Sequence, residues 1–241
     1  RLSVQEELNI IEIYKAYGNY DLAAKHIESL SDQKLKLSER KILCDLWRPM
    51  MNTRRFINPD YSIEEFFTEL KKLKVKYTVL RWFEDLPKIE PGEDIDFLIA
   101  DEDIDKFSTL LVPYPYNNAK KIDLYSASGL PGSAYQALPY FQTNLAKQIL
   151  NNRILYKDLY FIPSPKDHFY SLTYHAVYHK AETSGLPIDS DSQLTPGEHN
   201  YDKVIKNLAS KVNIKIEDTS LNSLHALLKS NGWTPSIDLI R

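Results

Sequence analysis

Three aspartates carry the chemistry this chain offers. Asp94 and Asp96 lie in the run Gly92-Glu93-Asp94-Ile95-Asp96-Phe97-Leu98-Ile99. Residues i and i+2 of a strand share a face and stand roughly 7 Å apart. Phe97, Leu98 and Ile99 read as the buried body of that strand. Two carboxylates on one face of a core strand are costly to bury unless a cation neutralises them. A divalent ion is the usual answer, since Mg²⁺ takes one or two carboxylates together with substrate phosphates. A third carboxylate, Asp123, sits in the strand-like run Lys120-Lys121-Ile122-Asp123-Leu124-Tyr125. Between the two runs, Ile104, Phe107, Leu110 and Leu111 have helical spacing, with Asp101 or Asp103 placed to cap the helix. Strand, helix, strand is the order that sets Asp123 beside Asp94 and Asp96. An isolated D-x-D is common on surface strands, so the third carboxylate gives the pattern its weight. The expectation is phosphoryl-transfer chemistry on Mg²⁺ or Mn²⁺ held by Asp94, Asp96 and Asp123. On this reading Asp96→Asn relieves carboxylate repulsion, and the metal-free melting temperature holds or rises.

The elements that must position these residues follow from periodicity and punctuation. Residues 1–50 read as helix: Val4, Leu8, Ile11 and Tyr14 on one face, a break at Gly18-Asn19, then Leu22, Ala23, Ile27 and Leu30, then a third helix from Leu37 to Met50. The first pair resembles a single tetratricopeptide hairpin; a plain helical cap on the following domain fits as well. Residues 51–61 read as a linker, which gives two regions, 1–55 and 56–241. Ser62-Ile63-Glu64-Glu65 is a capping box, opening a helix with Ile63, Phe66, Phe67, Leu70 and Leu73 on one stripe. Tyr77 to Trp82 reads as a strand. Further helices are expected at 139–151, at 164–181 behind a Ser164-Pro165 start, at 200–212 and at 219–231, with a β-rich run at 153–162. Residues 183–198 read as a polar loop.

Composition narrows the class. The 241 residues are 43% apolar with a formal net charge of −3, which suits a globular chain and argues against a dedicated nucleic-acid coat. The single cysteine, Cys44, excludes an internal disulfide framework and a cysteine-rich zinc site. No apolar stretch has membrane-spanning length and no signal-like segment opens the chain, so the expected compartment is cytoplasmic.

Helix, strand, paired aspartates and later aspartate together resemble the polymerase β-like nucleotidyltransferase superfamily. Its motif is a helix, a strand ending in a Gly-Ser turn, an h-D-h-D-h strand and a third aspartate on a later strand. Here these match the helix at 62–73, the strand at 76–82, Asp94 with Asp96, and Asp123; the resemblance covers residues 62–181. Within the superfamily the chain looks most similar to uncharacterised bacterial nucleotidyltransferase-like proteins, on the run from Pro163 and His168 through Tyr174-His175 to His179-Lys180. Such proteins often accompany cell-surface polysaccharide enzymes. The resemblance implies an α/β fold of α+β type, a mixed sheet flanked by helices, with C-terminal helices added. One departure stands out. Leu80-Arg81-Trp82-Phe83 replaces the Gly-Ser turn, so either Arg81 forks onto phosphate or the triphosphate is not held in the usual way.

Other residues join the candidate site. His168, His175 and His179 fall on one helical face. His175 and His179 have zinc spacing, yet Ala176 replaces the glutamate of H-E-x-x-H, so substrate or phosphate contact by His175, His179 and Lys180 is the stronger functional reading. Hydrogen-bonded core histidines are its competitor. Tyr114, Tyr116, Tyr135 and Tyr140 are equally read as walls of a sugar or base pocket and as aromatic cover for the core. The expected activity is nucleotidyl or phosphoryl transfer from a nucleotide or nucleotide-activated donor to a hydroxyl acceptor such as a sugar, in polysaccharide biosynthesis, with a protein partner at the N-terminal helices. Two alternatives stand beside it: a non-catalytic binding module on the same fold, and a CDP-linked phosphotransferase of the LicD/fukutin-like type.

Overall fold

The computed structural model describes the chain except residues 1, 18, 32–38, 40, 41, 43–53, 91, 92, 113–115, 136, 137, 198 and 236–241. The architecture is mixed α/β. Five strands, β1 (Arg54–Ile57), β2 (Tyr77–Val79), β3 (Asp94–Ile99), β4 (Leu111–Val112) and β5 (Lys121–Ser126), form one sheet in the order β2-β3-β5-β1-β4. β3 and β5 are parallel; the remaining pairs are antiparallel. A hairpin of β6 (Ile154–Tyr156) and β7 (Tyr160–Ile162) makes a second, two-stranded sheet. The helices are α1 (Val4–Ala16), α2 (Tyr20–Ser31), α3 (Ile63–Lys72), α4 (Ile104–Ser108), α5 (Thr143–Asn151), α6 (Pro165–Tyr174), α7 (Tyr201–Lys211) and α8 (Leu221–Ser230).

Strand alternation divides the interior in two. On β3 and β5 the side chains of Ile95, Phe97, Ile99, Ile122 and Leu124 pack with α3 through Ile63, Phe66, Phe67 and Leu70. The capping box that opens α3 is formed: the Glu65 N–H donates to Ser62 Oγ at 3.1 Å, and the Ser62 N–H donates to Glu65 Oε2 at 2.7 Å. Leu73, the last member of the expected stripe, is exposed at the end of the helix. Leu98 and Tyr125 point the other way and join a second core with α5, α6, α7 and α8. The aspartates share that second face by the same period of two. A third cluster joins Leu8, Ile11, Ala23, Ile27 and Leu30 of the N-terminal hairpin to Phe56 of β1. The aspartates therefore lie between two groups of helices that cover the same side of the sheet.

Several expectations change. β1 begins at Arg54, so the boundary at 55 cuts a strand, and Arg54 and Arg55 belong to the sheet. Asp101 and Asp103 cap no helix. Asp101 Oδ1 accepts from the Ser128 N–H and Asp103 Oδ2 from the Lys76 N–H, so both are spent tying loops to the sheet. The helix expected from 101 to 111 shrinks to a 3₁₀ turn plus α4, because Leu111 is taken into β4. The helix expected from 139 starts at Thr143 behind a Gln142 cap. The helix after Ser164 is α-helical only to Tyr174 and continues as a π-helix over His175–Lys180. The third N-terminal helix lies almost wholly outside the described residues, as do Cys44, Gly92 and Tyr114. Among the described residues no helix is long and apolar enough to cross a membrane.

Candidate active site

The sheet register builds the site. Asp96 of β3 pairs directly with Asp123 of β5, and Asp123 pairs with Arg54 of β1. Directly opposed residues on neighbouring strands point to one side, so the three form a row, with Asp94 two residues upstream on the same face. Arg81 reaches Asp96 from the opposite flank, just past β2, where the Leu80 N–H still donates to the Asp96 carbonyl at 2.9 Å.

Two arginines take up the carboxylates. Arg54 Nε donates to Asp123 Oδ1 at 2.7 Å, while its Nη2 donates to Asp123 Oδ2 at 3.2 Å and to Asp94 Oδ2 at 2.6 Å. Arg81 Nη2 donates to Asp96 Oδ1 at 2.7 Å. The Arg81–Asp96 pair is buried, whereas Arg54 keeps 26% of its side chain exposed. Burial pushes Asp96 up to about 7, with Asp123 and Asp94 adding to the rise and Arg81 opposing it. Burial also raises Asp123, against the pull of Arg54.

The carboxylates open onto a cavity of about 480 Å³. Asp94, Asp96, Asp123, Arg81, His175, His179 and Lys180 line it as expected from sequence, whereas His168 does not and packs against Phe83 instead. Tyr135 and Tyr140 line it too, whereas Tyr116 lies against the N-terminal hairpin, its hydroxyl donating to the Ile57 carbonyl. Tyr140 packs against the tilted rings of Tyr125 and His179, each with centroids 3.9 Å away, and carries the Arg81 guanidinium 5.5 Å from its centroid.

The histidines divide in role. His175 is locked by tyrosine hydroxyls, Tyr140 at 2.6 Å on Nδ1 and Tyr201 at 3.1 Å on Nε2. Burial, with Arg81 nearby, holds it neutral, well below the ordinary imidazole range. His179 is pressed down to about 3, by burial first and then by Arg81. Neither of its ring nitrogens has a hydrogen-bond partner among the described residues. The π-helix widens the turn that carries both residues, and such turns recur at functional sites.

Sequence reading missed Arg54, Trp82, His199 and Tyr201, all on the cavity wall. Arg54 stands in what reads as a linker, and only strand pairing reveals it. Trp82 holds a left-handed φ of 52° and stacks on His199 with centroids 4.0 Å apart. A bulky residue in that region is strained. It sits in the turn that follows β2, two residues before Glu84.

Mg²⁺ or Mn²⁺ is tested by donor set and charge. Three carboxylates supply hard oxygen ligands of the right kind. One oxygen of Asp94 and one of Asp96 have no hydrogen-bond partner among the described residues. Lys180 joins the two guanidiniums on the same wall, so three cations face the three carboxylates. Donor chemistry suits a divalent ion, whereas charge alone does not call for one. Spacing differs from expectation: among the described residues no three carboxylate, histidine or cysteine side chains converge on one ion position. Arg54 is wedged between Asp94 and Asp123 instead. Comparison with protein-family models, curated proteins and solved structures finds no match.

Proposed function

We propose that the chain is a nucleotidyltransferase-like enzyme. It moves a nucleotidyl or phosphoryl group from a nucleotide-activated donor to a hydroxyl acceptor, a sugar in the setting of surface polysaccharide synthesis. The observation that carries this reading is the in-register row of Asp96 and Asp123 on parallel strands, with Asp94 beside it, on the wall of one cavity. Asp94, Asp96 and Asp123 would hold Mg²⁺ or Mn²⁺. The ion, when bound, supplies charge for the transferring phosphoryl oxygens.

The chain's own residues provide the rest. Arg81 offers guanidinium N–H groups to phosphate from the cavity wall, and its hold on Asp96 fixes its position. Lys180 lines the same wall. Asp123, raised by burial, is suited to accept the proton of an attacking hydroxyl. His175 orients Tyr140 and Tyr201 and leaves no ring nitrogen for substrate. Tyr140, Tyr125 and Trp82 add aromatic surface to the same wall for a base or sugar. A protein partner at the N-terminal helices is proposed on Ile13 and Tyr17, which stand exposed on α1 and just beyond it.

Calorimetric titration with the four ribonucleoside triphosphates and with CDP- and UDP-activated donors, each with and without Mg²⁺, tests the reading. One donor is expected to bind only with Mg²⁺, and Asp123→Asn is expected to abolish that binding while circular dichroism stays unchanged. Mg²⁺-independent binding, or equal binding by Asp123→Asn, removes the enzymatic reading. A second reading, a binding module without chemistry, is favoured by the two arginines on the carboxylates. It expects anion binding that is indifferent to divalent ions.

A further inference from the structure

We propose that Arg54 is an internal cation that closes the carboxylate site and exchanges Asp94 and Asp123 for donor phosphate when a divalent ion enters. This rests on the metal reading of the three aspartates. The geometry is specific. One guanidinium bridges two carboxylates on different strands, with contacts of 2.6, 2.7 and 3.2 Å.

The two arginines are not equivalent. Arg81 has a side chain only 8% exposed, donates to Asp96 and lies over the Tyr140 ring, so it is held in place on the cavity wall. Arg54 is about a quarter exposed, at the first residue of β1. Exposure selects which one leaves. A divalent ion brought to the carboxylates repels both guanidiniums, and Arg54 is the one with access to solvent. Like charges crowded at this distance repel strongly in a partly buried site. The freed guanidinium stays tethered at the cavity wall. Its planar fork matches phosphate oxygens as it matches carboxylate oxygens. Metal and donor then bind cooperatively, because phosphate stabilises the arginine position that leaves the carboxylates open.

Mn²⁺ binding, read from the free-ion paramagnetic resonance signal, tests this without any activity measurement. Arg54→Gln is expected to bind Mn²⁺ at least tenfold tighter than the wild type in the absence of nucleotide. Arg54→Lys, which keeps the charge but loses the fork, guards against misfolding and is expected to fall between them. A non-hydrolysable nucleotide is expected to tighten Mn²⁺ binding in the wild type and to do so less in Arg54→Gln. Equal or weaker Mn²⁺ binding by Arg54→Gln, with wild-type binding intact, overturns the exchange and leaves the metal reading standing. No Mn²⁺ binding by either protein overturns both.

Discussion

At the scale of single residues, Arg81 and Asp96 form the most exposed test of the site, because they are its most buried charges. Their side chains are 8% and 9% exposed. Removing one partner of such a pair costs about 3–5 kcal/mol, since the other charge is left without compensation. The two halves differ, however. Asp96 can take up a proton when Arg81 is gone, because its environment already holds it near 7. Arg81 cannot shed one. Asp96→Asn is therefore expected to lose about 3 kcal/mol in urea unfolding, and Arg81→Met clearly less. The double variant should recover most of the loss; additive losses would show that the pair is not a unit. The sequence alone suggests the opposite sign for Asp96→Asn, because it displays three mutually repelling aspartates and hides the arginines. His168 provides a second test. It lies 5.0 Å from the Phe83 ring and is pressed down to about 4 by burial. The unfolded chain holds this group near 6.5, so it binds more protons than the fold between pH 6.5 and 4. The stabilising contribution is complete above 6.5 and is lost as pH falls through that window. His168→Phe keeps a ring and removes the titration. Between pH 7 and pH 5 the variant should lose about 2 kcal/mol less than the wild type. Identical pH dependence of the two urea midpoints would remove His168 from the acid response.

At the scale of elements, the cavity depends on a strap that sequence shows only as a polar loop. Gly185 opens it with a left-handed φ of 78°. A Cβ there would stand 2.4 Å from the Thr195 carbonyl oxygen, and the Thr195 N–H donates back to the Gly185 carbonyl at 2.9 Å. This close approach folds the strap so that His199 reaches Trp82. Gly185→Ala is expected to cost at least about 1 kcal/mol from backbone strain alone, with the clash added. It should also unstack His199 and change Trp82 emission, while the far-ultraviolet dichroism holds. Unaltered emission and melting temperature would separate the strap from the site. The same element explains what was legible. Asp94, Asp96 and Asp123 could be found because period-two alternation and short-range caps are written locally, as at Ser62 and Ser164. Arg54 could not, since its partners lie 40 and 69 residues away and its strand is four residues long. The π-helix was hidden too, because a single widened turn leaves the apolar pattern almost unchanged.

At the scale of the whole molecule, the N-terminal hairpin and the site meet at β1. Phe56 is 2% exposed and packs with Leu8, Ile11, Ala23, Ile27 and Leu30. Arg54, two residues earlier on the same face, holds Asp94 and Asp123. The hairpin therefore sits on the strand that carries the site's exposed arginine, although the sequence presents it as a separable unit ahead of a linker. Two truncations separate these roles. A chain starting at residue 54 keeps β1 but uncovers Phe56, and about 1.5–3 kcal/mol of burial is lost from that side chain alone. It is expected to fold with a lowered melting temperature and a new tendency to self-associate. A chain starting at residue 58 also loses the strand between β5 and β4 and the cation on Asp94 and Asp123. It is expected to be far less stable than the first, because β5 becomes a bare edge and two carboxylates lose their partner. Thermal melting at matched concentration, with light scattering as the second readout, decides. If the two truncations melt together, close to the full chain, then β1 is dispensable and neither the hairpin nor Arg54 supports the sheet.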